Sequence, residues 1–424
     1  MAKQQKIVTL ESLRLPMTEG REAAPAAPLS TDDQLVRARY QQIMERLRQE
    51  TRDKGGDLLI TVQDREVSLL QSALAAQAEA DRALPAGGQE VKFGTGFGGG
   101  DWFGWVKSLL DHVDRTKAHA MVRPTTAIAD PLGDPARVAL TADWGTGLYG
   151  APKIAQQITA LAPFALLLHL GDVYYSGTKE EIEQRFLAVW PKAAGALSRT
   201  LNSNHEMYSG GFGYFDIALP ALGQSSSYFA MQTDYWLLAC LDTAYVDHAM
   251  DNEQVAWLNL VIRNTPPAPD GEPKRLVLFS HQQPYSRLDN QGPKLQAALR
   301  HLLDARAIKA WYWGHEHQCV LYDPHPVSGL IGRCLGNGGI PEPRKDEVRA
   351  APTERTIDQW MWKRLAATAD SPACLVLDGP NPDIVGEEEK FVPHGFMTLT
   401  FDGPVLTETV RLSHGAEIFT NTIR

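Results

Sequence analysis

Short apolar runs alternate with amphipathic stretches over the second two thirds of the chain. Each short run is bounded by polar or turn-forming residues, which predicts strands at residues 138–141, 165–169, 228–231, 236–241, 276–279 and 310–313. The amphipathic stretches carry apolar residues at helical spacing, which predicts helices at residues 153–161, 179–190, 252–264 and 293–305. Strands that alternate with helices in this way favour an α/β fold.

The C-terminal part of the chain has a different pattern. Residues 341–390 are rich in Pro, Glu and Asp, so we expect an irregular segment there. Two further runs follow, at residues 395–401 and 406–412, with Asp402 and Gly403 between them. An Asp-Gly pair between two such runs predicts a closing β-hairpin.

The N-terminal part is more polar. Residues 1–30 end in an Ala/Pro-rich stretch and are expected to form a mobile tail. Apolar residues at helical spacing then predict one helix from Thr31 to about Lys54 and a second within residues 58–84, before Pro85. We expect these helices to pack as an appendage on the main domain. A dimerisation hairpin, and hence a homo-oligomer, is the alternative.

A glycine-rich segment separates these helices from the main domain. Residues 93–100 are expected to form a linker, and residues 102–113 a docking helix with an aromatic face. The glycines fit G-x-G-x-x-G, but no strand pattern precedes them and no Lys-Ser/Thr pair follows, so a phosphate-binding loop is not predicted. The chain is therefore divided into a tail (1–30), a helical N-terminal extension (31–130) and an α/β domain (131–424).

Composition narrows the class of protein. Of 424 residues, 43% are hydrophobic and 22% are charged, which is typical of globular proteins and excludes collagen-like, coiled-coil-only and wholly disordered chains. The net charge of -10 argues against binding to bulk nucleic acid or to anionic membranes, although a local basic patch stays open.

Location is inferred from three features. The N-terminus has no apolar signal region, and no apolar run approaches the roughly 18 residues that span a membrane. The four cysteines, Cys240, Cys319, Cys334 and Cys374, show no CxxC spacing, so unbridged thiols are expected. We therefore expect a cytoplasmic protein.

Potential metal ligands stand at or shortly after the ends of the predicted strands. They fall into five clusters, which contain Asp143, then Asp172 with Tyr174 and Tyr175, then Asn204 with His205 and Glu206, then His281, and finally His315 with His317. Each cluster alone has an ordinary explanation as a turn, cap or buried hydrogen-bonding residue. Together they indicate one site, because ligands bind beyond the carboxyl ends of strands in α/β sheets.

The order of these motifs resembles that of the calcineurin-like metallophosphoesterases, and within them the purple acid phosphatase branch. The matching motifs are Asp-x-Gly, Gly-Asp-x-x-Tyr, Asn-His-Glu, a lone His after a strand and Gly-His-x-His, over roughly residues 137–319. Most members have Asp-x-His in the first motif. Here Gly145 replaces that His, and Tyr175 can supply the missing ligand.

The resemblance implies a fold, a metal site and roles for single residues. The fold would be a sandwich of two mixed β-sheets flanked by helices. The ligand sets would be Asp143, Asp172, Tyr175 and His317 for one ion, and Asp172, Asn204, His281 and His315 for the other. Such O and N donors suit Fe, Mn or Zn, and a phenolate favours Fe(III) at the Tyr175 site, with Fe, Zn or Mn at the second. His205 would be catalytic and substrate-binding, with Glu206 a further substrate contact, while Ser203 departs from the usual Gly.

The activity implied is hydrolysis of phosphate esters by a hydroxide that bridges the two ions. A phosphomonoesterase acting on a small phosphorylated substrate is the leading hypothesis. Three alternatives stay open: a phosphodiesterase with the same metals, a binding module built on a degenerate phosphatase, and a phosphatase that serves an N-terminal recognition or assembly module.

Overall fold

The structure is a computed structural model that describes residues 31–53, 63–82 and 117–424. The predicted N-terminal tail, the glycine-rich linker and the docking helix lie outside these ranges. The strands of the described residues, in chain order, are β1 (Asp130–Pro131), β2 (Ala136–Thr141), β3 (Leu166–His169), β4 (Leu197–Thr200), β5 (Phe229–Gln232), β6 (Trp236–Cys240), β7 (Arg275–Phe279), β8 (Ile308–Trp313), β9 (Cys319–Tyr322), β10 (Ile331–Leu335), β11 (Thr353–Ile357), β12 (Trp360–Leu365), β13 (Cys374–Asp378), β14 (Gly395–Asp402), β15 (Val405–Leu412) and β16 (Glu417–Ile423).

Helices connect these strands. Their bounds are α1 (Thr31–Asp53), α2 (Arg65–Arg82), α3 (Ala151–Ala160), α4 (Lys179–Glu181), α5 (Asn204–Tyr208), α6 (Leu219–Ala221), α7 (Asn252–Asn264), α8 (Pro293–Ala298), α9 (Arg300–Asp304) and α10 (Asp346–Ala350). Two π-helical turns complete the set. Ile182–Leu187 continues α4, and Tyr214–Ala218 leads into α6.

Two mixed sheets form the body of the protein. One sheet has ten strands in the order β1-β5-β6-β7-β8-β10-β9-β13-β12-β11, and the other has six in the order β16-β15-β14-β2-β3-β4. The strands β6, β7 and β8 run parallel in the first sheet, as do β2, β3 and β4 in the second. Parallel neighbours require crossover connections, which α3 and α7 provide. The predicted α/β sandwich of two mixed sheets is confirmed.

The main core lies between the facing sheets. Side chains of Leu140 and Leu168 from one sheet and Phe279 and Tyr312 from the other belong to one fully buried cluster. The outer faces of the sheets are covered by helices, as in the cluster that contains Ile154 of α3. Strands buried on both faces explain why the sequence shows continuous apolar runs rather than an alternating pattern.

The closing hairpin forms as predicted. Strands β14 and β15 pair in antiparallel register over their full length, from Gly395 opposite Leu412 to Asp402 opposite Val405. Gly403 in the turn has a φ of 53°, a left-handed conformation that glycine adopts without steric cost. β14 also pairs with β2, so the hairpin extends the sheet that carries the first metal-ligand motifs.

Residues 341–390 are more regular than the sequence indicated. This segment contains α10 and the strands β11 to β13, which extend the ten-stranded sheet. The buried indole of Trp362 and the buried side chain of Leu377 pack in the main core, so burial overrides the polar composition. The helix predicted at residues 293–305 is in fact two short helices, α8 and α9, with a non-helical residue, Leu299, between them.

The cysteines are free and buried, as the absence of CxxC spacing predicted. Among the described residues, no helix is both long enough and apolar enough to cross a membrane.

Candidate metal centre

Loops at the carboxyl ends of parallel strands bring the five sequence motifs together. Asp143 follows β2, Asp172 follows β3, Asn204 follows β4, His281 follows β7, and His315 and His317 follow β8. Since β2 to β4 and β7 to β8 are parallel within their sheets, these loops lie at one edge of the sandwich. The sheet topology therefore gathers residues that are up to 174 positions apart in the chain.

The backbone is unusual at four of these residues. Asp143, Asp172, His315 and His317 all have positive φ, between 52° and 77°. Residues other than glycine adopt this region rarely, and such strain clusters at functional sites where the surroundings enforce it. Close packing contributes, since a Cβ atom on Gly314 would lie 2.4 Å from Oδ2 of Asp143.

The first group of side chains surrounds the hydroxyl of Tyr174. This hydroxyl lies 2.8 Å from Oδ2 of Asp172, 3.3 Å from Oδ1 of Asp143 and 3.1 Å from Nε2 of His317. Nε2 of His317 is also 3.3 Å from Oδ1 of Asp143. Asp143, Asp172 and His317 are three of the four ligands that the resemblance implied for the first ion, and here they surround a tyrosine hydroxyl.

The tyrosine in this group is Tyr174, whereas the motif spacing assigned the role to Tyr175. The ring of Tyr175 lies beneath the guanidinium of Arg185, which is 5.1 Å from the ring centroid. Its backbone N–H donates to Oε1 of Glu181 at 2.6 Å, and its carbonyl oxygen is 2.5 Å from Nδ1 of His205. Tyr175 thus supports the loop and holds His205, while the neighbouring residue supplies the hydroxyl.

The second group surrounds Nε2 of His281. This nitrogen lies 3.2 Å from Oδ1 of Asp172, 3.0 Å from Oδ1 of Asn204 and 3.2 Å from Nδ1 of His315. Nδ1 of His281 is 2.9 Å from the carbonyl oxygen of Leu170, which can only accept a hydrogen bond. The ring proton is therefore on Nδ1, and Nε2 presents a lone pair to the other ligands.

Burial and mutual interaction shift the titration of these groups. Burial, with the nearby charge of Asp172, raises the pKa of Asp143 to about 7. Burial also acts to raise the pKa of Asp172, but His281, His205 and His317 outweigh it and hold that pKa well below its usual range. Burial lowers the pKa of His281 to about 4, so its imidazole is neutral at neutral pH, as a metal ligand must be.

The donor set fits bound cations. Ligand atoms of Asp143, Asp172 and His281 all lie within 4.8 Å of one another, and all three side chains are buried. Among the described residues, Oδ1 of Asp172 has no hydrogen-bond partner, although it is a buried carboxylate oxygen. Lone pairs of Asp172, Asn204 and His281 therefore converge without an intervening proton, which is costly unless a cation lies between them. Carboxylate, phenol, amide and imidazole donors suit Fe, Mn or Zn.

His205 lies next to this group. Its Nδ1 is held by the carbonyl of Tyr175, so the other ring nitrogen, Nε2, points toward Oδ2 of Asp172 at 4.0 Å. The side chain is fully buried, and burial lowers its pKa. The sequence-predicted catalytic residue is thus adjacent to the ligands.

The loop before His205 needs no glycine. Ser203 has a φ of -137° and a ψ of 173°, which is ordinary extended backbone that any residue adopts. Its hydroxyl accepts a hydrogen bond from the backbone N–H of His205 at 3.1 Å and donates to Oε2 of Glu206. Glu206 is fully buried, so this carboxyl packs against the start of α5.

Two further residues contact the predicted ligands: Tyr208, which the sequence offered only as a possible pocket residue, and His248, which no motif indicated. The hydroxyl of Tyr208 lies 3.0 Å from Nδ2 of Asn204, and Nε2 of His248 lies 3.3 Å from Nε2 of His315. His248 comes from the loop between β6 and α7, which has no recognisable motif. Tyr208 follows Asn204 by one helical turn, and this i, i+4 spacing was the available signal.

Comparison with known proteins agrees with this geometry. Residues 136–319 match the family model for the calcineurin-like phosphoesterases. No curated protein is similar enough in sequence to match the chain significantly. The family match confirms, for the segment from residue 136 to residue 319, the resemblance to the calcineurin-like phosphoesterases that the motifs indicated.

Similar solved structures include purple acid phosphatase PPD1 from seeds of yellow lupin, with a TM-score of 0.51 and 16% identity. The alignment covers 71% of this chain and 55% of the lupin chain, so this chain spans little more than half of that protein. GAP50, the anchor in the inner membrane complex of Plasmodium, matches with a TM-score of 0.44 and 11% identity over 69% of this chain and 89% of that chain. PhoD matches with a TM-score of 0.39 and 9% identity over 71% and 74%. The lupin match confirms the metallophosphoesterase fold.

Proposed function

We propose that this protein is a phosphomonoesterase that depends on two metal ions. The observation that carries the proposal is the position of Asp172 between the two groups of donors. Its Oδ1 is 3.2 Å from Nε2 of His281, and its Oδ2 is 2.8 Å from the hydroxyl of Tyr174. A carboxylate whose two oxygens face two separate donor sets is suited to bridging a pair of ions.

Each ion would be held by one group. The first would be bound by Asp143, Asp172, Tyr174 and His317, with Fe(III) the ion that a phenolate favours. The second would be bound by Asp172, Asn204, His281 and His315 and would be Fe, Zn or Mn. Ions bound there would lower the pKa of a water molecule and neutralise charge on the phosphate.

The chain itself orients the ligands. The carbonyl of Leu170 fixes the ring of His281, and Oε2 of Glu342 lies 3.4 Å from Nδ1 of His317. Partners of this kind set the tautomer of a metal-binding imidazole, so that the other nitrogen keeps its lone pair for the ion. Positioning of this quality matters because phosphoryl transfer depends mainly on orientation and charge neutralisation.

His205 would act on the substrate rather than on an ion. Since Nδ1 donates to the carbonyl of Tyr175, Nε2 is the nitrogen that can contact a phosphate oxygen or exchange a proton with the leaving group. Glu206 is buried against Ser203, and we propose that it stabilises the turn before α5. The substrate would be a small phosphorylated molecule.

Metal content tests this proposal. Protein stripped with a chelator and reloaded should bind two ions per chain and hydrolyse a chromogenic phosphate monoester. The variant Asp172→Asn should bind fewer ions and lose turnover, whereas Asp323→Asn, at an exposed ion pair with Arg364, should match the wild type. Two tightly bound ions together with full turnover in Asp172→Asn would overturn the proposal.

A further inference from the structure

The N-terminal helices contact the helix that carries Asn204. Helix α2 packs against α5, and Nε of Arg65 donates a hydrogen bond to the carbonyl oxygen of Tyr208 at 2.9 Å. This carbonyl belongs to the last residue of α5, where helix carbonyls lack partners within the helix. A cation at this end of a helix satisfies a carbonyl and interacts favourably with the helix dipole.

Helix α5 needs such support. It has only five residues, and helices this short are unstable by themselves because nucleation is costly. Its N-terminal end is capped by Ser203, and its C-terminal end receives Arg65. The orientation of α5 therefore depends on contacts from outside the phosphoesterase segment.

Tyr208 connects this contact to the metal centre. Its hydroxyl oxygen accepts a hydrogen bond from Nδ2 of Asn204 at 3.0 Å. Because the amide nitrogen is occupied in this way, Oδ1 of Asn204 is the atom that faces Nε2 of His281 at 3.0 Å. The ring of Tyr208 also packs on the ring of His205, with centroids 4.8 Å apart.

The start of α2 is itself held in place. Oδ1 of Asp64 accepts a hydrogen bond from the backbone N–H of Val67 at 3.0 Å and so caps the helix. From α1, Arg46 pairs with both Asp64 and Glu66, and Arg39 also pairs with Glu66. Several charges that share partners hold geometry better than an isolated surface pair does. The contacts between α1 and α2 thus fix Asp64 and Glu66, the two chain neighbours of Arg65.

We propose that the N-terminal helices are part of the metal centre: Arg65 and Tyr208 are positioning residues that set Asn204 to bind the second ion. This inference rests on the proposed two-ion site. It assigns to residues 31–53 and 63–82, which lie outside the segment matched by the family model, a role in building that site.

The test is metal binding by the full chain. Chelator-treated protein is titrated with Mn²⁺, and the free ion is followed by electron paramagnetic resonance. Removal of the hydrogen-bond partner of a metal ligand costs about 10-fold to 100-fold in affinity. The variant Tyr208→Phe keeps the ring that packs on His205, so it should bind one ion as the wild type does and the second about 10-fold to 100-fold more weakly.

Two further variants and two controls complete the experiment. Arg65→Met should also lower the affinity for the second ion. Arg65→Lys should retain part of that affinity, because lysine can also donate to a carbonyl. Tyr245→Phe, which removes a hydroxyl bonded to the carbonyl of His119, and Arg263→Met, at an exposed position of α7, should bind both ions normally.

The outcomes separate this inference from the proposed function. The inference is supported if the wild type binds two ions and if Tyr208→Phe and Arg65→Met selectively lower the affinity for the second ion. Unchanged affinity for both ions in both variants would overturn it and leave the proposed function standing. Failure of the wild type itself to bind two ions would overturn both.

Discussion

The hydroxyl of Tyr174 lies 2.8 Å from Oδ2 of Asp172, the carboxylate two residues before it. This short chain separation makes a compact pair of oxygen ligands on one loop. If ferric iron binds here, the phenolate should give a visible charge-transfer band in iron-loaded, oxidised protein. Tyr174→Phe should abolish that band, and Tyr175→Phe should keep it, because the ring of Tyr175 stacks on Arg185. The measurement is the absorption spectrum of each protein at equal iron content.

The reverse result would return the ligand to the residue that the motif spacing selected. A band that survives Tyr174→Phe and disappears in Tyr175→Phe would show that Tyr175 turns toward the iron. The two variants remove the same atom from adjacent residues, so each is the control for the other.

His205→Gln tests the residue next to the ligands. Loss of a positioned proton donor or acceptor typically lowers the rate by about 10²-fold to 10⁴-fold. We expect kcat for a phosphate monoester to fall within that range while metal content stays at the wild-type value. His301→Gln is a suitable control, since His301 bonds to Asn259 on the helical surface. A loss of bound metal in His205→Gln large enough to account for the fall in kcat would show instead that His205 shapes the metal site.

The two sheets are joined by a buried ion pair. Arg333 of β10 donates to both carboxylate oxygens of Glu408 of β15 at 3.0 Å, and the hydroxyl of Tyr312 donates to the same carboxylate at 2.7 Å. Arg333→Met leaves a buried carboxylate without its counter-charge, which should reduce the free energy of unfolding by about 3–5 kcal/mol.

Urea unfolding of three variants checks this expectation. The double variant Arg333→Met/Glu408→Leu should be more stable than Arg333→Met, because no uncompensated charge stays buried. Arg364→Met, which breaks partly exposed pairs with Asp323 and Glu354, should cost less than about 1 kcal/mol. An Arg333→Met variant as stable as Arg364→Met would contradict the assignment of this pair to the core.

His169 makes stability depend on pH. Burial lowers the pKa of its imidazole to about 3, so below about pH 6.5 the unfolded chain binds a proton that the folded chain does not. His169 therefore lowers the free energy of unfolding progressively as the pH falls from about 6.5 toward 3. The ring packs on Phe186, and His169→Phe keeps an aromatic ring without the titration.

Relative to the wild type, His169→Phe should gain about 1.4 kcal/mol for each pH unit below 6. The measurement is urea unfolding of both proteins from pH 7 to pH 5 with a chelator present, so that metal binding does not contribute. Parallel curves for the two proteins would mean that the imidazole is accessible to protons in the folded state.

The position of the site was predictable because Asp143, His281 and their counterparts directly follow apolar strands. At these positions a metal-ligand residue follows a recognisable strand pattern, and the parallel strands bring the ends of those strands together. The choice between Tyr174 and Tyr175 was not predictable in the same way. Adjacent tyrosines share one motif, and only the path of the loop decides which hydroxyl reaches Asp172.

Contacts between distant segments were beyond the reach of sequence patterns. Arg65 and Tyr208 are 143 residues apart, and nothing in either local sequence indicates that they meet. The strands β11 to β13 were missed for a related reason. Their burial depends on Trp362 packing in a core made by other strands, so local composition pointed to an irregular segment.

A comparison of two substrates on one preparation tests most directly whether this protein is a phosphomonoesterase with two metal ions. Turnover of p-nitrophenyl phosphate and of bis(p-nitrophenyl) phosphate should be measured on protein whose metals are quantified at the same time. We predict two ions per chain and faster hydrolysis of the monoester. A preference for the diester would make the protein a phosphodiesterase, and no turnover of either compound with both sites filled would contradict a hydrolytic role.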